Sequence, residues 1–151
     1  RSKPQCQVCP LMSQCEAYAQ DNVKAFPNSK PKKEKPVKSI RMIMLEHEGE
    51  VLLLQQPDSG IWGGLWIFPQ QAVAESYAES EWLLDASIAK VEDKEMFRHT
   101  FSHYHLDIHP IRIQLNAKPD LVGEKPLLWY DLSNPASVGL AAPVKKLLES
   151  L

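Results

Sequence analysis

Long apolar runs are missing from these 151 residues, so no segment is expected to span a bilayer. The opening Arg1-Ser2-Lys3-Pro4-Gln5-Cys6 has no apolar h-region. A signal peptide is therefore not expected, and a reducing, cytoplasmic setting is. Cysteine is scarce as well. The three present, Cys6, Cys9 and Cys15, crowd into ten residues, a pattern that suits metal or cluster ligation better than a disulfide framework. Basic charge is thin where the bulk of the chain lies. Residues 39–151 hold nine Lys and Arg against sixteen Asp and Glu, whereas residues 1–38 hold eight against three. Nucleic-acid affinity rests largely on neutralising phosphates, so an acidic body of this kind should not grip DNA strongly by itself.

What is present reads as one ordinary domain with an appendage. Residues 1–21 carry the cysteines and a helical turn near Glu16-Ala17-Tyr18-Ala19. Residues 22–37 include Pro27-Asn28-Ser29-Lys30-Pro31-Lys32-Lys33-Glu34-Lys35-Pro36, which has too few apolar groups to bury and reads as an extended linker. From residue 38 to 151 the pattern is that of a compact α+β domain. Ser39–Leu45 and Glu50–Gln55 are strand-like, with a hairpin signal in Glu46-His47-Glu48-Gly49. Asp58–Gln71 is a loop rich in Gly and Trp, and Ser76–Ser87 has apolar residues near helical spacing. Glu95–Leu115 has strand character throughout. Its apolar set moves from Tyr104, Leu106 and Ile108 to Ile111, Ile113 and Leu115 across Pro110, which predicts a bulge or a strand break there. Leu127–Leu132 reads as a further strand. Pro143 can open a last helix with Val144, Leu147, Leu148 and Leu151 as its apolar positions.

Three constellations could carry chemistry. The first is Cys6-x2-Cys9-x5-Cys15. Thiolates suit soft metals and iron–sulfur clusters, but a tetrahedral site takes four ligands and the nearest histidine, His47, lies beyond the linker. The residues alone leave open part of a cluster site or three incidental cysteines; a complete zinc site is the weakest alternative. The spacing resembles the last three cysteines of the Cys-x6-Cys-x2-Cys-x5-Cys loop in the endonuclease III and MutY glycosylases. That resemblance implies a [4Fe–4S] cluster in an intact parent protein, held in part by Cys6, Cys9 and Cys15. It also implies a helical catalytic domain upstream, whose catalytic Asp and Glu have no counterparts here, so no catalytic residue is assigned.

The second is Gly60-Ile61-Trp62-Gly63-Gly64-Leu65-Trp66-Ile67-Phe68-Pro69. Glycines beside tryptophans allow a tight backbone path pinned by large anchors, so a rigid loop packed on the core is favoured over direct ligand contact. The stretch resembles the Gly-Gly-x-Trp-x-x-Pro opening of Nudix-fold domains. This implies a Nudix-like mixed sheet flanked by helices. Nudix hydrolases follow that opening with a helix of Arg-Glu and Glu-Glu pairs that hold magnesium. Gln70–Glu81 has glutamates at other spacings and no arginine, so the fold is expected without the hydrolase site.

The third is Phe97-Arg98-His99-Thr100-Phe101-Ser102-His103-Tyr104-His105. It reads as a strand and turn with solvated histidines. A metal site built on His103 and His105 with His99 or His109 is the less favoured alternative. Phe101-Ser102-His103 resembles the Phe-Ser-His element of the MutY C-terminal domain, which implies 8-oxoguanine recognition by these three residues. The tail from Gly139 to Leu148 is similar to bacterial members of that family. The resemblance implies a lesion-reading domain of an adenine DNA glycosylase that excises adenine opposite 8-oxoguanine or guanine. Its partners would be duplex DNA holding 8-oxoguanine opposite adenine and the attached catalytic domain. The fragment is expected to be monomeric, inactive alone and free of membranes. The alternatives are a Nudix pyrophosphatase, which needs a glutamate helix for magnesium, and a protein-interaction domain, which needs Trp62 or Trp66 exposed.

Overall fold

The computed structural model describes residues 4–26, 34–83, 86–121 and 125–151. The chain divides into two compact units, Arg1–Glu34 and Lys35–Leu151. Residues 27–33 of the expected linker lie outside the described residues.

The first unit is a string of short turns. Single-turn 3-10 helices at Cys6–Val8, Met12–Gln14 and Val23–Ala25 surround one helical turn, α1 (Glu16–Ala19). No residue described in this unit is buried, so its described part packs around no core.

The second unit is built on eight strands: β1 (Val37–His47), β2 (Glu50–Gln55), β3 (Trp66–Ile67), β4 (Gln70–Gln71), β5 (Ile88–Asp93), β6 (Phe97–Thr100), β7 (His105–Leu115) and β8 (Leu127–Asp131). The main path of the sheet runs β3-β2-β1-β7-β5, with β4 on β1, β6 on β7 and β8 on β2. β1 and β7 lie parallel and the other pairs antiparallel, so the sheet is mixed. The expected β1–β2 hairpin forms. Its turn residues Glu48 and Gly49 both take positive φ, 47° and 80°, the twist that matches flanking strands. Beyond the pairs Glu46–Val51 and His47–Glu50 the two strands part. The segment Trp66–Gln71 fills the gap, pairing with β2 through β3 and with β1 through β4.

Both faces of the sheet are buried. Met42, Met44, Val51, Leu53, Leu106 and Ile108 face one core with Phe68 and the helix α2 (Ala142–Leu148), which contributes Val144 and Leu147. Ile43, Leu45, Leu52, Ile111, Ile113 and Leu115 face a second core with Leu83. Each such aliphatic side chain gains about 1.5–3 kcal/mol on leaving water, so the central strands are held from both sides. The expected α+β, Nudix-like mixed sheet is present, with helical segments on both faces and a cysteine-bearing segment ahead of it in sequence.

Two local expectations are corrected. The helix expected over Ser76–Ser87 is instead a pair of 3-10 turns, Tyr77–Glu79 and Glu81–Leu83, with residues 84 and 85 outside the described set. Ser76 and Ser80 hold extended ψ values of 129° and 133° and break the helical path; serines compete with a helix in this way. The bulge or break expected within 105–115 is also absent, because ten successive pairs join β7 to β1 without interruption. The apolar set moves at Pro110 because the first half of β7 buries one face and the second half the other. The irregularity lies across the sheet: three residues, Lys94 to Met96, oppose two, His109 and Pro110. Lys94 N–H donates to Pro110 O at 3.0 Å. A strand residue turns its N and its C=O to the same side, so the missing N–H of Pro110 faces the junction of β5 and β6.

Candidate functional site

The stretch from Phe97 to His105 forms a tight hairpin at one end of the sheet. β6 and β7 pair Phe97 with Ile108, Arg98 with Asp107, His99 with Leu106 and Thr100 with His105. Opposed residues share a face. On the solvent face Arg98 forks onto Asp107, and Thr100 Oγ1 lies 2.9 Å from His105 Nδ1. On the core face Phe97 and His99 lean toward Ile108 and Leu106. Phe101 N–H donates to Tyr104 O at 2.9 Å, which leaves Ser102 and His103 at the tip. Both are exposed, while Tyr104 is buried and Phe101 half-buried. Ser102 Oγ lies 2.9 Å from His103 Nδ1.

Aromatic rings fix the base of this tip. Phe101 stacks on Tyr104 at 4.6 Å, meets His99 edge-on at 4.7 Å and lies 5.6 Å from Trp62. Trp62 reaches that position from the glycine-rich loop. Its own φ is 59°, and Leu65 N–H closes onto its carbonyl at 2.9 Å. Gly63 makes the loop possible, since a Cβ there would lie 2.5 Å from the Asp58 carbonyl oxygen. Lysines stand close by. Lys38 Nζ lies 5.0 Å over the Tyr104 ring, and Lys35 Nζ donates to Phe101 O at 2.8 Å. Burial pushes the Tyr104 hydroxyl above its ordinary pKa, and the hydrogen bond from Arg98 holds the Asp107 carboxyl below its own.

Phe101, Ser102 and His103 are thus brought to one hairpin tip. Trp62, Tyr104, Lys35 and Lys38 were not singled out as its companions. The alternation around Tyr104 hints at burial, but the Lys35 contact spans 66 positions and leaves no local signal. The histidine alternative for a metal is not assembled: His99 faces Phe101, His105 faces Thr100, and among the described residues no three His, Cys, Asp or Glu side chains are grouped to hold an ion.

The cysteine assignment is corrected on the same ground. Cys6 opens one 3-10 turn, Cys9 caps it, and Cys15 sits between a second turn and α1. These separate turns do not gather Cys6, Cys9 and Cys15 into one ligand set, so no [4Fe–4S] site is formed among the described residues. No helix among the described residues is long and apolar enough to cross a membrane.

Residues 41–150 match the NUDIX domain family. The sequence is 34% identical over 151 residues to an adenine DNA glycosylase of Buchnera aphidicola subsp. Acyrthosiphon pisum, covering 98% of this chain and 43% of that protein. It is 31% identical to the adenine DNA glycosylase of Buchnera aphidicola subsp. Schizaphis graminum, covering 97% and 43%. The chain spans less than half the length of these curated relatives. Among solved structures, the MutT NUDIX hydrolase of Burkholderia pseudomallei superposes with a TM-score of 0.60 at 14% identity, over 78% of this chain and 99% of that one. The C-terminal domain of mouse MUTYH, solved in complex with human PCNA, gives 0.56 at 19%, over 74% and 84%. Those two likenesses speak to fold. The chain belongs to the NUDIX domain family, and nearly its whole length is homologous to bacterial adenine DNA glycosylases.

Proposed function

We propose that this chain reads 8-oxoguanine in DNA on behalf of a longer adenine DNA glycosylase. The observation that carries the proposal is the exposed Ser102 hydroxyl at a hairpin tip, 2.9 Å from His103 Nδ1. Guanine offers only acceptors, N7 and O6, along its major-groove edge. Oxidation at C8 turns N7 into an N–H donor and adds a carbonyl. A hydroxyl that donates to an unprotonated Nδ1 keeps its lone pairs free to accept from that new N–H. Guanine offers that oxygen no donor at N7.

Phe101 supports the tip from below and is itself only half-buried, and stacking of an aromatic side chain on a base is typically worth ~1–3 kcal/mol. His103 adds a contact at the rim. The acidic body agrees with a division of labour. Residues 38–151 discriminate, residues 22–37 tether, and an attached catalytic domain supplies most phosphate contacts, flips the mispaired adenine and cleaves its N-glycosidic bond. In this reading the chain is monomeric and acts in the bacterial cytoplasm on duplexes with 8-oxoguanine opposite adenine.

The two alternatives have less support. The pyrophosphatase needs carboxylates on one helix, and the glutamates of Gln70–Glu81 lie instead at Glu75, ahead of the turns, and on the turns Tyr77–Glu79 and Glu81–Leu83. The interaction domain needs an outward Trp62 or Trp66, and both are half-buried against the first core.

The test is an amide NMR titration of this chain with two short duplexes, one holding 8-oxoguanine opposite adenine and the other guanine. Shifts centred on Phe101 to His103 with the oxidised duplex alone are expected. An equal response to both duplexes would overturn the proposal.

A further inference from the structure

The hairpin that carries Ser102 and His103 is only half closed by its own backbone. Phe101 N–H reaches Tyr104 O, but no return bond from Tyr104 N–H to Phe101 O is present among the described residues. The Phe101 carbonyl accepts instead from the Lys35 ammonium at 2.8 Å, in a half-buried setting. Two more contacts come from the same short stretch. His105 N–H donates to Pro36 O at 2.9 Å, and Lys38 Nζ stands over the Tyr104 ring at 5.0 Å. Pro36 has a fixed φ, so the direction in which Lys35 leaves the head of β1 is set by the chain itself.

We infer that Lys35 is a positioning residue for lesion recognition: its ammonium closes the open turn at the Phe101 carbonyl and fixes the backbone that presents Ser102 and His103. A hydrogen bond from a charged donor is stronger than a neutral one, and a half-buried carbonyl stripped of its donor is costly. Without Lys35 the tip has its strand pairs below it and one backbone bond across it, which leaves its last two residues free to tilt. The residue that completes the reader thus belongs to the stretch entering the domain, 66 positions earlier in the sequence. The functional half of this inference rests on the 8-oxoguanine reading above; the structural half stands on the hairpin alone.

A lysine near DNA has a simpler use as a phosphate contact, and the two roles separate by experiment. Loss of a phosphate contact weakens binding to any duplex alike and lessens its salt dependence. Loss of a positioning group lowers the preference for the lesion. The variants are Lys35→Met, which keeps the length without the donor, and Lys35→Arg, which restores a donor. In the free chain, Lys35→Met is expected to shift the Phe101–Tyr104 amides and to speed their hydrogen exchange by about fivefold or more, with Lys35→Arg returning them toward the parent. With the two duplexes described above, Lys35→Met is expected to lower the preference for the oxidised base by about fivefold and Lys35→Arg to retain it. Unchanged hairpin amides in Lys35→Met would overturn the inference. So would an equal loss on both duplexes with the preference intact. If the parent chain itself shows no preference, the 8-oxoguanine reading fails, and the amide comparison in the free chain still decides the clamp.

Discussion

Asp107 takes both prongs of the Arg98 fork, Nε to Oδ1 at 2.6 Å and Nη2 to Oδ2 at 2.8 Å, directly across the strand pair that ends in Ser102 and His103. The hydrogen bonds from Arg98, with its charge, hold the Asp107 carboxyl below its ordinary 3.8 against the opposing pull of burial; His109 and His105 act in the same direction as Arg98. A carboxyl that binds its proton less readily when folded stabilises the fold fully above its unfolded pKa. That contribution is lost as pH falls through the lower, folded value. Titration of the Asp107 carboxyl by 13C NMR should give a midpoint below 3.8 in the parent chain and a higher one in Arg98→Met. A midpoint that ignores the substitution would remove the fork as its cause.

Phe101 and Ser102 are neighbours with opposite duties, and their alanine variants should divide accordingly. Phe101 packs among Trp62, His99 and Tyr104, so Phe101→Ala should lower stability by about 1–3 kcal/mol, less than for a fully buried ring. Ser102 is exposed, and Ser102→Ala should stay within about 0.5 kcal/mol of the parent. Urea denaturation measures both. A large loss of stability in Ser102→Ala would recast that hydroxyl as structural.

On the proposed 8-oxoguanine reading, Ser102→Ala should lower selectivity for 8-oxoguanine over guanine while leaving nonspecific affinity nearly unchanged. Equilibrium binding to the two duplexes at one salt concentration is the measurement. Equal weakening on both would speak against a base-reading role.

Gly63 has no room for a side chain. An alanine Cβ would lie 2.5 Å from the Asp58 carbonyl oxygen and 2.9 Å from its carbon, backbone atoms that cannot swing aside. Gly63→Ala should therefore cost about 1–3 kcal/mol and loosen Trp62 from Phe101. Unfolding followed by tryptophan fluorescence reads both effects, and parent-like stability would show that the loop has slack.

Glu48 is a glutamate in a left-handed conformation, φ 47°, at a turn that favours Asn-Gly. Glu48→Asn should raise stability by about 0.5–1 kcal/mol, since the Glu48 carboxylate is exposed and its 3.8 Å contact with His47 contributes little. A drop in the thermal midpoint would mean that the contact matters more than the backbone.

The parts of this fold governed by short-range rules were legible. Glu48-Gly49 announced a turn, strand patterns announced β1, β2, β7 and β8 but not β3, β4 or β5, and Pro143 announced the start of α2. Where two signals overlapped, pattern misled. The apolar spacing of Ser76–Ser87 suits a helix, yet Ser76 and Ser80 hold extended backbone. The change at Pro110 looked like a break in its own strand, yet the extra residue sits on the opposing segment. The tip residues Phe101, Ser102 and His103 were found through family likeness, whereas Lys35 and Trp62 approach them only through the folded chain. Family likeness implied a ligand set at Cys6, Cys9 and Cys15 that the short turns of the first unit do not gather.

The parallel pairing of β1 with β7 also bears on the order in which the chain acquires its structure. Val37 meets His105 and Glu46 meets Gln114, partners 68 positions apart, whereas β6 and β7 are joined by only four residues. Closing a long loop costs entropy before any contact rewards it, while a hairpin forms within about microseconds. The hairpin is therefore expected to exist before its clamp. Lys35 reaches Phe101 only when β1 has zipped along β7, so a nascent chain carries the Phe-Ser-His tip for a time in an unclosed state. Pulsed hydrogen-exchange labelling during refolding should find the amides of β6 protected earlier than those of β1.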